Sequence, residues 1–408
     1  MKLAAQTPQP WLDPPAFWSG LSAATEGLDT PFGVISVPAL AHNAHDMLRR
    51  ADGTTIRVAS KSVRVRGVME AVLALPGYHG VLAYTLPEAL WLAETIDDVV
   101  VGYPTVDRAA IEKLGRSAKL ARRVTLMVDS VEHLDLVDSV LGPGRRESIR
   151  VSLELNASWR SKVLGYLGVY RSPVQTVQDA LALGRAIVER PGFTLVGMMA
   201  YEAQIAGVVN RPAGRPLLGR TVDYVQKNST LELHERRGAV VAALRGIAEL
   251  EFVNGGGTGS LERTSSDPSV TEIAAGSGLF GPHLFDGYSH FQPAPAASFA
   301  LSVVRKPAPD MATLLGGGWI ASGPPAPERM PRLAWPQGLE YVAREAAGEV
   351  QSPLRGPGAA ALRVGDRVWL RHTKAGELSE HLNEFAMVDG DRIVESMPTY
   401  RGEGKAFL

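Results

Sequence analysis

Ile56-Arg57-Val58-Ala59-Ser60-Lys61 is a short apolar run that stops on a lysine. Four to eight near-continuously apolar residues with a polar terminus describe a parallel strand covered on both faces. Runs of the same kind recur at Gly33–Pro38, Gly80–Tyr84, Val99–Pro104, Val124–Asp129, Ile149–Asn156, Thr194–Tyr201 and Leu250–Asn254. Helix signals separate them. Pro38–Arg50 opens on proline and carries Leu40, Ala44, Met47 and Leu48 on one face. Ser130–Val140 and Gln175–Glu189 read the same way. Strands alternating with helices predict an α/β fold, a (β/α)8 TIM barrel over residues 30–288. A doubly wound sheet of similar strand count is the competing arrangement.

Beyond about residue 290 prolines cluster and helical periodicity ends. Ala300–Val304, Tyr341–Ala343, Ala361–Val364 and Arg367–Leu370 read as strands of a second, mainly antiparallel β-domain formed by 1–29 and 289–408. Gly365-Asp366 and Gly390-Asp391 read as its turns, and Trp11, Phe17 and Trp18 are expected to pack onto it.

The bulk composition narrows the function. The 408 residues include 45% hydrophobic and 21% charged, the balance of a globular enzyme. With 42 basic and 43 acidic side chains the net charge is -1, which gives no general field toward nucleic acid or anionic membrane. There is no cysteine, which removes disulfides, thiol nucleophiles and thiolate metal sites. No apolar run reaches the ~18 residues of a membrane span. The first fifteen residues hold no continuous apolar segment, so no secretory signal is expected and the cytoplasm is the expected location.

A barrel assembles its reacting centre where strands end. Those ends carry Lys61, Tyr84, Tyr103, Asp129, Asn156, Tyr201 and Asn254. Polar residues begin at any strand end, so most of these admit a purely structural role. Lys61 stands apart. The apolar interior beside it and the cations Arg57 and Arg64 favour the neutral amine that attacks carbonyl carbon.

The second feature is Asn254-Gly255-Gly256-Gly257-Thr258-Gly259-Ser260. Its glycines let backbone N–H groups converge on an anion, and Thr258 and Ser260 add hydroxyls. It lacks a P-loop lysine and dinucleotide spacing, and it follows a late strand, where barrels hold phosphate. Gly276-Ser277-Gly278 is placed to donate from another side. A carbonyl-binding lysine early in the barrel and a phosphate cup late in it suggest one cofactor, pyridoxal 5'-phosphate (PLP).

These motifs resemble the fold-type III PLP enzymes: alanine racemase and, more closely, the D-threonine aldolase and D-serine dehydratase group. The similarity covers roughly residues 30–400. Arg57-Val58-Ala59-Ser60-Lys61-Ser62-Val63-Arg64 matches the family's Arg-Pro-His-x-Lys-Thr-His-Lys in its arginine and its Schiff-base lysine, but not its histidines. Glu272 to Ser277 resembles the Glu-x-x-Pro-Gly-Thr phosphate contact, and Gly316 to Ser322 a stretch of the β-domain.

The resemblance implies PLP held by Lys61, Tyr84, Arg160, Tyr201, Asn254, Gly256, Gly257, Thr258, Gly276 and Ser277, with Arg160 toward the pyridine nitrogen. It implies Lys61, Tyr201 and Tyr84 as proton carriers, a small amino-acid substrate and a homodimer. Two motifs depart from the pattern. Pro398-Thr399-Tyr400-Arg401-Gly402 replaces the metal-binding Pro-Asn-His-x-Cys/Asp, leaving His372 and His381 as the candidates for a divalent metal. Tyr201-Glu202-Ala203-Gln204 replaces Tyr-x-Gly-His and loses its acid/base histidine. The expected activity is a PLP-dependent lyase on a β-hydroxy amino acid, by dehydration–deamination or retro-aldol cleavage. An amino-acid racemase, a non-catalytic PLP-binding protein and a cofactor-free lysine aldolase are the alternatives.

Overall fold

A computed structural model describes residues 1–5, 9–374 and 376–408. The chain divides into two units, one of residues 47–61, 73–275 and 407–408, the other of 1–46, 62–72 and 276–406.

The first unit is the barrel. Eight parallel strands close on themselves in the order Phe252–Gly255, Glu272–Ala275, Thr55–Ala59, Tyr78–Ala83, Val99–Val101, Val124–Val128, Ile149–Glu154 and Phe193–Ala200. The last of these pairs with the first, Gly197 opposite Phe252. Leu82, Val100, Met127, Val196, Met199, Phe252 and Ala274 meet as one buried cluster, the packed centre that keeps such a barrel from being a pore. Below it Arg57 is buried and offset by carboxylates, donating to Glu272 at 2.7 and 2.8 Å and to Asp98 at 2.8 Å.

The outer helices follow their caps. Val177–Val188 starts at a reciprocal box in which the Thr176 hydroxyl accepts from the Asp179 N–H and the Asp179 carboxylate from the Thr176 N–H. Thr85 and Asp107 cap Leu86–Leu92 and Arg108–Gly115 in the same sense.

The second unit is built on a nine-stranded, mostly antiparallel sheet. Here one expectation is corrected. The run at 33–38 is not a barrel strand: Phe32–Ser36 lies in this sheet, antiparallel to Ala297–Arg305 and parallel to Glu384–Asp389. All five of its residues are buried, and an apolar run does not encode which sheet buries it. The barrel's missing strand is Glu272–Ala275, too short and too acidic to read as a strand until Arg57 is seen to neutralise Glu272. Lys61 therefore follows the first strand of the barrel in chain order. Helix Pro14–Ala24 seats Phe17, Trp18 and Leu21 on Phe32, Val34, Trp369 and Val388, with Trp11 at the margin. Ala361–Val364 is not a strand, because Pro357–Ala361 forms a helical turn started by its proline. Gly390 turns between Glu384–Asp389 and Arg392–Pro398 with φ +64, a conformation suited to glycine.

Candidate active site

Parallel strands of a barrel all end at one rim, and the polar residues gather there. Lys61 sits just past Thr55–Ala59, on a tight turn whose Ser60 hydroxyl donates to the Leu82 carbonyl at 3.0 Å. Its side chain is exposed, not sunk in the apolar interior as expected. The expected cation Arg57 is committed to Glu272 and Asp98, and Arg64 belongs to the other unit, paired with Glu380 at 2.6 Å.

What Lys61 does meet is Tyr103: its Nζ donates to the phenolic oxygen at 2.7 Å. On the same ring lies Arg171, its Cζ 5.3 Å from the Tyr103 centroid and 5.0 Å from that of Tyr201. Burial works to raise the Tyr103 phenol, but the charges of Lys61 and Arg171 overcome it and hold the group below its ordinary value. The Tyr201 phenol is raised, burial outweighing the pull of Arg171. Glu154, at the end of Ile149–Glu154, is 4% exposed, and burial pushes its carboxyl up to about 7, with Arg171 opposing and Asp129 assisting. The rim thus brings together an amine, two phenols of opposite shift, a guanidinium and a carboxyl that titrates near neutrality.

The glycine loop is buried throughout, not a mobile surface turn. Glu202 shapes it from within: its Oε2 accepts the Gly256 N–H at 2.8 Å, and its Oε1 accepts the Thr264 hydroxyl at 2.7 Å. Gly256 has φ +72, and a Cβ there would stand 2.7 Å from the Thr264 Oγ1, so only glycine fits. Arg50 donates to the Thr258 carbonyl at 2.8 Å and to Glu262 at 2.6 Å, bracing the loop's far side. Asn254 donates to Glu272 at 2.8 Å, while its Oδ1 is buried with no hydrogen-bond partner among the described residues.

Other expected residues fall elsewhere. Tyr84 ends the strand next to that of Lys61, its N–H held by Glu88 at 2.7 Å. Arg160 lies on a small hairpin, exposed, donating to Gln175 at 2.9 Å and facing the Tyr166 ring, so Arg171 is the arginine that meets the tyrosines at the rim. Gln204 is tied to the Ala157 carbonyl at 2.7 Å and Ser229 at 2.8 Å, a buried brace. Gly276 and Ser277 belong to the second unit, where Ser277–Phe280 is one helical turn.

The candidate metal ligands do not fit a metal. His372 is wholly interior, its Nδ1 3.2 Å from the Ala297 carbonyl and its ring edge-on to Phe280. His381 stacks flat on Trp319 at 4.8 Å. Tyr400 is buried with its hydroxyl 4.0 Å from the Met69 sulfur. Among the described residues no group of three His, Asp or Glu side chains is placed to hold an ion.

Arg171, Glu154 and Glu202 were not read from the sequence. Glu154 had a signal, a carboxylate inside an apolar run; Arg171 had none, because a hairpin carries it back to the rim.

The family model for the alanine racemase N-terminal domain matches residues 35–283. The chain belongs to that family. Among curated relatives of this alanine racemase-like chain, a 3-hydroxy-D-aspartate aldolase of Paracoccus denitrificans is 29% identical over 266 residues, 62% of this chain and 60% of the relative. A D-threonine aldolase of an Arthrobacter species is 27% identical over 312 residues, 73% of this chain and 75% of the relative. The chain thus spans about three-fifths of the first relative's length. In fold it is similar to the crystal structure of D-threonine aldolase from Filomicrobium marinum, with a TM-score of 0.74, 22% identity, and coverage of 92% of this chain and 95% of that one.

Proposed function

We propose that the protein is a PLP-dependent lyase that cleaves or dehydrates a small β-hydroxy amino acid, with Lys61 holding the cofactor. One observation carries the reading: the Lys61 amine, hydrogen-bonded to Tyr103, stands one intervening strand away from the buried glycine loop. Two inter-strand spacings amount to ~10 Å, a gap bridged by a lysine stem plus a ring that bears an aldehyde and a phosphate. The residues suit such a group. The loop is a buried turn that tolerates no Cβ at Gly256, where φ is +72, so its backbone can be approached closely. The names of the curated relatives support the same class and point to D-configured substrates.

When bound, PLP supplies an electron sink for charge developing at the substrate's α-carbon. The chain's own residues supply the proton handling. Lys61 Nζ and Tyr103 Oη, in direct contact, exchange a proton between them. Tyr201, its phenol raised, keeps its proton; Tyr84 borders the same rim. Glu154, its carboxyl pushed up by burial to about 7, is protonated in part of the molecules at neutral pH and can donate that proton to a departing hydroxyl. No step is assigned to a metal, since the residues in the metal motif's place pack as apolar and structural groups.

A homodimer and a cytoplasmic setting belong to the same proposal, supported by the family resemblance and the cysteine-free chain; sedimentation of the purified protein tests the first.

The test is product analysis. PLP-loaded protein is incubated in D2O with the D and L forms of threonine, serine and 3-hydroxyaspartate. An aldehyde or a keto acid is expected. Inversion with deuterium at the α-carbon would instead establish the racemase alternative. No turnover of any amino acid would overturn both.

A further inference from the structure

Arg171 is held in an unusual way. Its guanidinium is bracketed by the rings of Tyr103 and Tyr201, at 5.3 and 5.0 Å, and the side chain is exposed at the barrel mouth. Its backbone is pinned by the next residue: the Ser172 hydroxyl donates to the Glu154 carbonyl at 2.6 Å, and the Ser172 carbonyl accepts the Asn156 amide at 2.8 Å. Buried arginines elsewhere in the barrel unit are paired with carboxylates, Arg50 with Glu262, Arg57 with Glu272 and Arg237 with Asp267. Arg171 makes no ion pair or hydrogen bond among the described residues. The Glu154 carboxyl feels the charge of Arg171, yet burial still pushes it up to about 7, so it is only partly ionised at neutral pH. A guanidinium stacked between aromatic faces keeps its N–H edge open, which is the arrangement that grips a carboxylate through two parallel hydrogen bonds. The Tyr103 ring it covers also lies against Lys61, whose Nζ is 5.4 Å from the centroid, so an anion on Arg171 lies beside the reacting amine.

We propose that Arg171 is the specificity-determining residue of this mouth, receiving a carboxylate of the substrate. The assignment rests on reading the mouth as an amino-acid site. The chemistry is shared by two sources, the α-carboxylate of any amino acid and the distal carboxylate of a dicarboxylic one such as 3-hydroxyaspartate.

The test separates this claim from the lyase reading by measuring binding without turnover. Calorimetric titration of the PLP-loaded protein with succinate and with its neutral diamide is compared across wild type, Arg171→Met and Arg171→Lys. Succinate is expected to bind wild type, the diamide not. Affinity for succinate is expected to fall at least tenfold in Arg171→Met and by less in Arg171→Lys, which keeps charge but not the planar fork. Should the methionine variant fail to fold, the lysine variant carries the comparison. Equal succinate binding by wild type and variants overturns the assignment, and so does binding of the diamide as tight as succinate, or none by wild type. Kinetics then place the carboxylate. A rise of KM of at least tenfold for both D-threonine and D-3-hydroxyaspartate marks the α-carboxylate, and a rise confined to 3-hydroxyaspartate marks the distal one. A fall in kcat with KM unchanged for both contradicts the proposal. Succinate binding that depends on Arg171, in a protein that turns over no amino acid, would leave this inference standing and remove the lyase reading.

Discussion

The Nζ of Lys61 donates a 2.7 Å hydrogen bond to the phenolic oxygen of Tyr103, joining the ends of two strands separated in the barrel by Tyr78–Ala83. The contact gives the lysine a proton partner that is itself held below its ordinary value by the charges of Lys61 and Arg171 acting against burial. Tyr103→Phe keeps the ring under Arg171 and removes only the hydroxyl. Its kcat for β-hydroxy amino-acid cleavage is expected to fall by ~10²-fold, the lower range for a lost acid–base group. Denaturant unfolding is expected to differ from wild type by no more than about 1 kcal/mol. Unchanged kcat would remove Tyr103 from the proton path.

Glu272 neutralises Arg57 in the barrel interior and also accepts from Asn254. Glu272→Ala strands a buried guanidinium with only Asp98 beside it. The expected loss is about 3–5 kcal/mol, the usual cost of breaking a buried pair from one side. Urea denaturation at neutral pH measures it, and a loss below 1 kcal/mol would show that Asp98 alone suffices.

Glu154 carries a folded-state value of about 7 against 4.5 for the free side chain. The folded protein therefore binds more protons than the unfolded chain between these values, and stability falls as pH rises through that window. Glu154→Gln lacks this dependence. The stability gap in favour of the variant is expected to widen by about 3 kcal/mol between pH 4.5 and 7.5, at 1.36 kcal/mol per unit. A pH-independent gap would show that the carboxyl ionises freely at the rim.

His372 carries the opposite sign. Burial, with Arg371 and His283 adding to it, lowers its imidazole from 6.5 to about 3. The unfolded chain takes up a proton below 6.5 that the folded one refuses, so this contribution is intact above that value and is lost as pH falls toward 3. Thermal unfolding of wild type is expected to move to lower temperature across this range, and the shift is expected to shrink in His372→Gln. At pH 4 the difference attributable to the site is about 3 kcal/mol. An identical pH profile in the two proteins would contradict it.

The barrel was legible because its strands are apolar on both sides and its helices repeat their spacing. The same uniformity hid the fate of Phe32–Ser36: five buried residues look alike whether an antiparallel sheet or a barrel covers them. Glu272–Ala275 was hidden for the converse reason, since its leading carboxylate reads as surface until Arg57 is placed against it. Lys61 and the glycine loop were readable, each being a local pattern of residue types at a strand end. Arg171 was not, because its position depends on where the hairpin of Trp159–Ser161 and Gly165–Leu167 returns the chain. The expected desolvation of Lys61 was also a long-range matter: the nearby cations are spent on Glu272, Asp98 and Glu380, and the amine donates to Tyr103.

The central claim is that Lys61 is the residue that holds PLP. The most direct measurement is borohydride reduction of the protein loaded with PLP, followed by proteolysis and mass mapping of the phosphopyridoxyl group. The label is expected on Lys61, with no visible absorbance and no label in Lys61→Ala. Labelling of a different lysine, or a wild-type protein that takes up no PLP, would contradict the account.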